Sequence, residues 1–474
     1  MHVDLAHLPP DDSKVYAMLQ KADTVGVFQV ESRAQMSALP RNRPTRFYDL
    51  VIQVGIIRPG PIVGRMAAPY FERRVGRQEV TYPHPSLKPI LERTLGVPIF
   101  QEQLLRIAMV AAGFSGGEAE ELRRAMGFKR SVDRMQAIEQ RLRRGMSERG
   151  IVGEAQEEIV RHITSFALYG FPESHAASFA LIAYASAYLK AHHPSAFYLG
   201  ILNAWPMGFY HPSTLVKDAQ RHGIDIRPVD VQRSGWRCRW EDQGAIRLGL
   251  KFVRGLRRPA ALALEAEQAR EPFRDADDLA RRCGLRADEM ETLAALGALS
   301  CFGLTRRGAL WQVARVARPA GPLLDRIEDP EPSPLPEMAP VEETIADYAT
   351  TQLTLGPHPM SYWRERLHRQ GVTSTAGLNE FPHGARVRMA GSVIVRQRPG
   401  TAKGMLFLTL EDETGMAQAI VSPDLLKEHR RLIVGAPGLV VEGVLTKRDG
   451  TLTVRSERFW SIDGLLKQPS HDFR

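Results

Sequence analysis

Cysteine is scarce in this 474-residue sequence, and the three present, Cys238, Cys283 and Cys301, stand far apart with no CxxC among them. That excludes a disulfide framework and a structural zinc site. Long hydrophobic runs are missing too: no apolar stretch approaches the roughly 18 residues of a spanning helix. The N-terminal MHVDLAHLPPDD has neither the charged nor the apolar region of a signal peptide. A cytoplasmic protein without membrane partners is expected. No repeat of fixed period is visible, and the strand–helix rhythm of a parallel sheet does not occur.

What remains is ordinary globular composition, 43% hydrophobic and 25% charged, over a length that suggests roughly two to four domains at about 100 to 200 residues each. The net charge is +9, with arginine supplying most of the excess. Arginine suits phosphate, because a planar guanidinium meets two oxygens at once and stays charged at any working pH.

The first 205 residues read as mainly helical. Helices are expected over 13–22, 99–112, 133–150, 154–168 and 178–192. A further one is marked at both ends. Ser115 and Glu118 form a capping box, the acidic Glu118, Glu120 and Glu121 suit its positive start, and Arg123 and Arg124 suit its end before Gly127. Complementing the helix dipole accounts for those two arginines by itself. Lys129 and Arg130 just beyond make four cations within eight residues, a density that an anion would relieve.

From about 206 the pattern shortens to segments at 224–231, 236–240 and 245–250, read as a small β element. Phe252-Val-Arg-Gly-Leu-Arg257 and Phe302-Gly-Leu-Thr-Arg306 then each lead into a helix. They have the form of loose helix-hairpin-helix units, in which a glycine turn lets backbone N–H groups and the nearby Arg254, Gly255, Arg257 and Arg306 approach a phosphate; plain helical packing is the alternative. Prolines 319, 322, 330, 332, 334, 336 and 340 mark 316–345 as a linker. A helical connector follows over 346–383, then a domain over 384–465 and a tail over 466–474. Within that domain five alternating strands, 385–395, 405–411, 416–421, 438–445 and 451–459, enclose a helix over 423–431, which is the order of an OB-fold. Loops 396–403 and 447–449 would set Arg396, Arg398, Lys403, Lys447 and Arg448 where oligonucleotide lies on such barrels, although turns are often charged for other reasons. The fold class is therefore multidomain α+β: mainly helical, then a helix-hairpin-helix module, then an OB barrel.

Seven motifs in order carry a resemblance: Gly26-Val-Phe-Gln-Val-Glu-Ser-Arg33, Ile57-Arg-Pro-Gly-Pro61, Phe100-Gln-Glu-Gln103, Leu122-Arg-Arg-Ala-Met-Gly127, Gly170-Phe-Pro-Glu-Ser-His-Ala176, Leu189-Lys-Ala-His192 and Leu355-Gly-Pro-His-Pro-Met360. With them the chain resembles the C-terminal part of a bacterial C-family DNA polymerase, the alpha subunit of DNA polymerase III. Glu31-Ser-Arg-Ala-Gln-Met36 and Phe47-Tyr-Asp-Leu-Val-Ile52 lean toward the error-prone branch. The resemblance implies a fingers domain over 1–205. It also implies that Arg58, Gln101, Glu102, Arg123, Arg124, Lys129, Ser174 and His175 face the incoming deoxynucleoside triphosphate or the template. Ser174-His175 is equally readable as a helix cap with a packed imidazole. Implied partners are primer-template and single-stranded DNA, a sliding clamp and a Y-family-like accessory protein.

In such a polymerase two Mg²⁺ ions about 4 Å apart activate the primer hydroxyl and brace the leaving pyrophosphate. The family holds them with three palm aspartates, and none has a counterpart here. Asp4 shares a Val-Asp-Leu setting with the third of them but precedes Pro9-Pro-Asp-Asp-Ser13 too closely to be it. Asp11-Asp12, Asp275 to Asp278 and Glu411-Asp412-Glu413 read as caps or solvated turns. No clamp-binding peptide is evident. The expectation is a fragment of a nucleotidyltransferase, a DNA-directed DNA polymerase of translesion repair, that is inactive alone. The alternatives are a non-catalytic scaffold binding single-stranded or primed DNA in a repair complex, and an RNA-facing protein that shares only the barrel.

Overall fold

A computed structural model describes residues 3–58, 66–125, 132–165, 171–316, 333–465 and 471–473. The chain divides into two compact units, Met1–His192 with Arg448–Thr451, and His193–Lys447 with Leu452–Arg474.

The first unit is helical among its described residues. Its centre is the Phe47–Ile56 helix, in which every residue from Asp49 to Ile56 is buried, packed against the Glu173–His192 helix. Asn42 ties polar groups inside this core together, as burial without a partner is costly. Asn42 Nδ2 donates to Asp49 O at 2.9 Å and to Gln53 Oε1 at 3.0 Å, and its Oδ1 accepts from the Tyr70 hydroxyl at 3.0 Å. The expected helices form at Ser13–Gln20, Gln101–Ala112, Gly116–Ala125, Val132–Glu148 and Glu154–Ser165. The last helix of the unit, Glu173–His192, begins five residues before the expected 178.

The second unit opens with the Pro194–Ala204 and Pro212–Arg221 helices. Three short strands follow, β1 (Ile226–Arg227), β2 (Arg239–Trp240) and β3 (Ile246–Arg247), in the order β1-β3-β2. The helices Arg258–Arg270, Ala276–Cys283, Ala287–Leu296 and Arg306–Val316 come next. The middle of the expected linker, 317–332, lies outside the described residues. Its end is helix: Pro340 sits in the first turn of Pro340–Thr351, where a missing N–H costs nothing, and Glu342 closes back on the Ala339 N–H at 2.7 Å.

Strands β4 (Arg386–Gln397), β5 (Leu406–Asp412), β6 (Gly415–Val421), β7 (Gly438–Arg448) and β8 (Thr451–Ser461) form a closed barrel in the order β4-β5-β6-β8-β7-β4. Closure depends on β4, which is long enough to pair with β7 through residues 386–392 and with β5 through 392–397, with a register shift between Val393 and Val395. Val387, Met389, Leu408, Leu410, Val421 and Val441 fill the interior. The expected 423–431 helix is two, Pro423–Glu428 and Arg430–Gly435. A sixth strand, β9 (His471–Phe473), adds in parallel to the end of β4. No helix among the described residues is long and apolar enough to cross a membrane.

Candidate nucleic-acid interface

Phe171 and the start of the helix that follows it bring together five of the eight residues expected to face nucleotide or template. Its carbonyl accepts from the Gln101 N–H at 3.1 Å. Its ring lies 4.4 Å below the Arg58 guanidinium and 5.4 Å from the His175 ring, which also meets Phe179 at 4.1 Å. Arg58 is further fixed by Gln29 Oε1 at 3.1 Å and Val54 O at 3.2 Å. Glu102 Oε2 accepts from the Glu173 N–H at 2.9 Å and so occupies the positive end of the Glu173–His192 helix. Ser174 and His175 are exposed in the first turn of that helix; the carboxylate that caps it comes from Glu102, so Ser174 does not do so. Two residues that local reading passed over complete the cluster. The Tyr48 hydroxyl donates to Glu173 Oε1 at 2.6 Å, and Arg93 stacks 3.7 Å from the Tyr48 ring. Tyr48 lay inside a recognised motif, but nothing local marked Arg93.

Arg123 and Arg124 are placed differently. The capping box forms, with the Ser115 N–H 2.7 Å from Glu118 Oε2 and the Glu118 N–H 3.3 Å from Ser115 Oγ. One turn on, Arg123 makes two hydrogen bonds to Glu120 at 2.8 and 2.7 Å, and Arg124 a third at 3.2 Å. The Arg123 guanidinium holds the Glu120 carboxyl down at about 2. All three side chains are at least 41% exposed, so water and salt screen the cluster and an incoming phosphate can compete with the carboxylate. Lys129 lies outside the described residues.

In the hairpin module Gly255 takes φ +81° at an exposed turn with open space around it, a conformation side chains rarely adopt. The flanking groups face inward. The Arg254 N–H donates to Thr350 O at 2.8 Å. Arg257 donates through its backbone at 2.9 Å and its side chain at 2.8 and 2.7 Å to Glu289. Burial pushes the Glu289 carboxyl up, but Arg257 and the N–H groups of Arg286 and Arg257 outweigh it and hold it at about 2. Arg306 Nη1 donates to Asp347 Oδ1 at 2.7 Å and Glu343 O at 3.1 Å. Arg257 and Arg306 thus fasten helices together, leaving Arg254 as the exposed cation of the set.

The barrel residues divide the same way. Arg396 is 8% exposed and donates to Ile433 O at 3.0 Å and Ala436 O at 2.8 Å, closing the end of the Arg430–Gly435 helix. Arg398 and Lys403 stand exposed on the β4–β5 loop. Lys447 donates to Asn379 O at 2.6 Å. Arg448, grouped with the first unit, pairs with Glu72 at 2.6 Å.

The acidic clusters do not suit a pair of metal ions. Asp12 and Asp275 are helix caps, accepting from the N–H groups of Val15 at 3.0 Å and Asp278 at 2.8 Å. Glu411 and Asp412 were expected in a solvated turn and are instead buried, 1% and 0% exposed. The turn geometry is as expected, with Asp412 Oδ1 accepting from the Thr414 N–H at 2.8 Å. Distant partners cover it: Arg221 at 2.9 Å and Thr214 at 3.0 Å on Glu411, and Arg364 and the Thr375 N–H at 2.8 and 2.7 Å on Asp412. Carboxylates so committed to N–H, hydroxyl and guanidinium donors are poorly placed to ligate Mg²⁺.

Residues 1–150 match the sequence model of the bacterial DNA polymerase III alpha subunit finger domain, 223–309 that of a helix-hairpin-helix motif, and 387–462 that of an OB-fold nucleic acid binding domain. A protein of Anaeromyxobacter dehalogenans named error-prone DNA polymerase is 47% identical over 99% of this chain and 42% of its own length. Proteins of the same name from Methylococcus capsulatus and Bordetella parapertussis are each 46% identical over 99% of the chain, and over 47% and 45% of their own lengths. The chain spans less than half the length of these relatives.

Proposed function

We propose that this chain, which belongs to the error-prone branch of the bacterial DNA polymerase III alpha-subunit family, supplies the DNA-gripping and nucleotide-facing part of a translesion DNA polymerase. The carrying observation is one of order. A finger match, a hairpin match and an OB match follow one another in a chain that aligns over 99% of its length with proteins named error-prone DNA polymerase.

In this reading the cluster around Phe171 is the nucleotide and template face: Arg58 and Gln101 are held rigidly, and His175 offers an exposed ring beside them. Arg123, Arg124 and Lys129 approach the triphosphate. Glu120 keeps the two arginines extended until phosphate displaces it, and guanidinium is well suited to that exchange. Arg254 and Gly255 contact the backbone of duplex DNA, while Arg257 and Arg306 position that turn. Arg398 and Lys403 contact the single-stranded template. Arg396 is a positioning residue for the barrel, and Lys447 and Arg448 shape its second loop. The full polymerase takes divalent metal on carboxylates other than the acidic clusters described above. The reading also calls for a sliding clamp and a Y-family-like accessory protein as partners, acting in the bacterial cytoplasm.

The test is an anisotropy titration of the purified chain with single-stranded and primed DNA across a range of salt. Binding should weaken steeply with salt and show little sequence preference. Replacing Arg398 and Lys403 with alanine should flatten that slope by roughly one to two phosphate contacts, whereas Arg396→Ala should lower stability. Salt-independent binding, or none, would overturn the proposal.

A further inference from the structure

A cavity of about 390 Å³ opens on the outside of the OB barrel. Its floor is apolar: Leu367, Val372, Val440 and Ile462 are each under 10% exposed and belong to a small cluster that seats the 359–372 segment on the outer face of β4 and β7. Its walls are two tryptophans. Trp363 leans partly buried on that cluster, and Trp460 at the end of β8 is 42% exposed. Each has a guanidinium over its ring, Arg366 at 5.6 Å from Trp363 and Arg388 at 5.7 Å from Trp460. Arg388 is fixed by Glu442 at 2.5 Å, whereas Arg366 is exposed and makes no ion pair among the described residues.

A hydrophobic floor between two indoles and two guanidiniums is the chemistry that takes a flat, polar-edged ring, and the volume lies within the usual range for a small ligand. We infer that this cavity holds one unpaired nucleotide of single-stranded DNA, its base stacked between Trp363 and Trp460 and its phosphate met by Arg366. The inference rests on reading the barrel as a single-strand binder. The pocket is separate from the β4–β5 loop: Arg388 lies near the start of β4, and Arg398 ten residues on, just past the strand's end at Gln397, up to about 33 Å away at 3.3 Å per residue. Charge around it is nearly balanced, Arg366, Arg386, Arg388 and Arg458 against Glu442, Glu457 and Asp463. Stacking therefore contributes more than phosphate attraction here, and the contact depends weakly on salt and strongly on the presence of a base. The second site would let the barrel hold template that has already passed the loops.

The experiment uses the full chain and an oligothymidylate of about 16 nucleotides, the upper end of one OB fold's span. One copy carries iodouracil for photocrosslinking and peptide mapping, one carries abasic positions, and thymidine monophosphate is the competitor. Expected are crosslinks within 363–370 or 458–463. Affinity should fall roughly ten-fold in Trp460→Ala and by less in Arg366→Ala, with unchanged melting, and Trp460→Ala should lose its effect on the abasic strand. Crosslinks confined to 396–403, together with wild-type affinity in Trp460→Ala, would overturn the pocket and leave the loop reading standing. Equal competition by the mononucleotide would assign the pocket to free nucleotide and overturn it too. Absence of DNA binding by every form would remove both.

Discussion

Removing the Arg221 guanidinium tests whether the buried carboxylates of the β5–β6 turn hold the second unit together. Glu411 is 1% exposed, and its oxygens accept from Arg221 at 2.9 Å and Thr214 at 3.0 Å. Arg221 also donates to Asp412 O at 3.1 Å. Taking one partner from a buried ion pair costs roughly 3–5 kcal/mol, because the other charge stays desolvated. Burial already pushes the Glu411 carboxyl above its ordinary range, so in Arg221→Met it takes up a proton, and the low end, about 3 kcal/mol, applies. In a unit of this size that corresponds to a fall of about 5–10 °C in melting temperature, read by calorimetry on the transition that Arg398→Ala leaves unmoved. Glu411→Gln keeps the Arg221 bond on its one oxygen and turns its amide N–H to the Thr214 hydroxyl, which then accepts, and should cost about 1 kcal/mol. The double variant Arg221→Met, Glu411→Leu should recover part of the loss, as apolar replacement of both partners often does. A shift below about 2 °C in Arg221→Met, or equal losses in the two single variants, would show that this ion pair does not hold the turn in place.

Other outcomes follow from single sites. Glu120→Gln releases Arg123 and Arg124 from their shared carboxylate, so primed-DNA affinity measured by anisotropy should rise several-fold and its salt slope steepen; Arg123→Ala should do the opposite. His358 is buried and pushed down to about 3. Between that value and its ordinary 6.5 the unfolded chain binds a proton the folded one does not, so this part of stability is complete above pH 6.5 and is lost as pH falls toward 3. In His358→Gln the slope of urea stability against pH over that window should flatten. At Gly145 an added Cβ would stand 2.0 Å from Ala112 O, so Gly145→Ala should force the Gln101–Ala112 and Val132–Glu148 helices apart and cost about 1–3 kcal/mol in chemical denaturation.

Strand alternation made the barrel legible, because one face of each strand must be buried, and β4 to β8 begin and end within three residues of expectation. Helices with unusual composition were not legible. Arg33–Asn42 carries Pro40 inside it, and Phe47–Ile56 is buried on nearly every side, so it shows no polar stripe to set a period. The start of Glu173–His192 was missed for a related reason, since its capping carboxylate comes from Glu102, far away in sequence. At the candidate site, recognised motifs brought Arg58, Gln101, Glu102, Ser174 and His175 forward, and the structure sets them around Phe171. Their number overstated the exposed cations. Whether an arginine faces water or a buried glutamate, as Arg257 faces Glu289 and Arg396 the carbonyls of Ile433 and Ala436, depends on partners dozens of residues away.

In the proposed reading this chain grips DNA and triphosphate without joining them. Primer extension with Mg²⁺ and all four deoxynucleotides, run on a sample whose salt-sensitive binding of the same primed template has been measured, tests it directly. Full binding and no extended primer are expected. Metal-dependent incorporation that tracks the purified chain would contradict it.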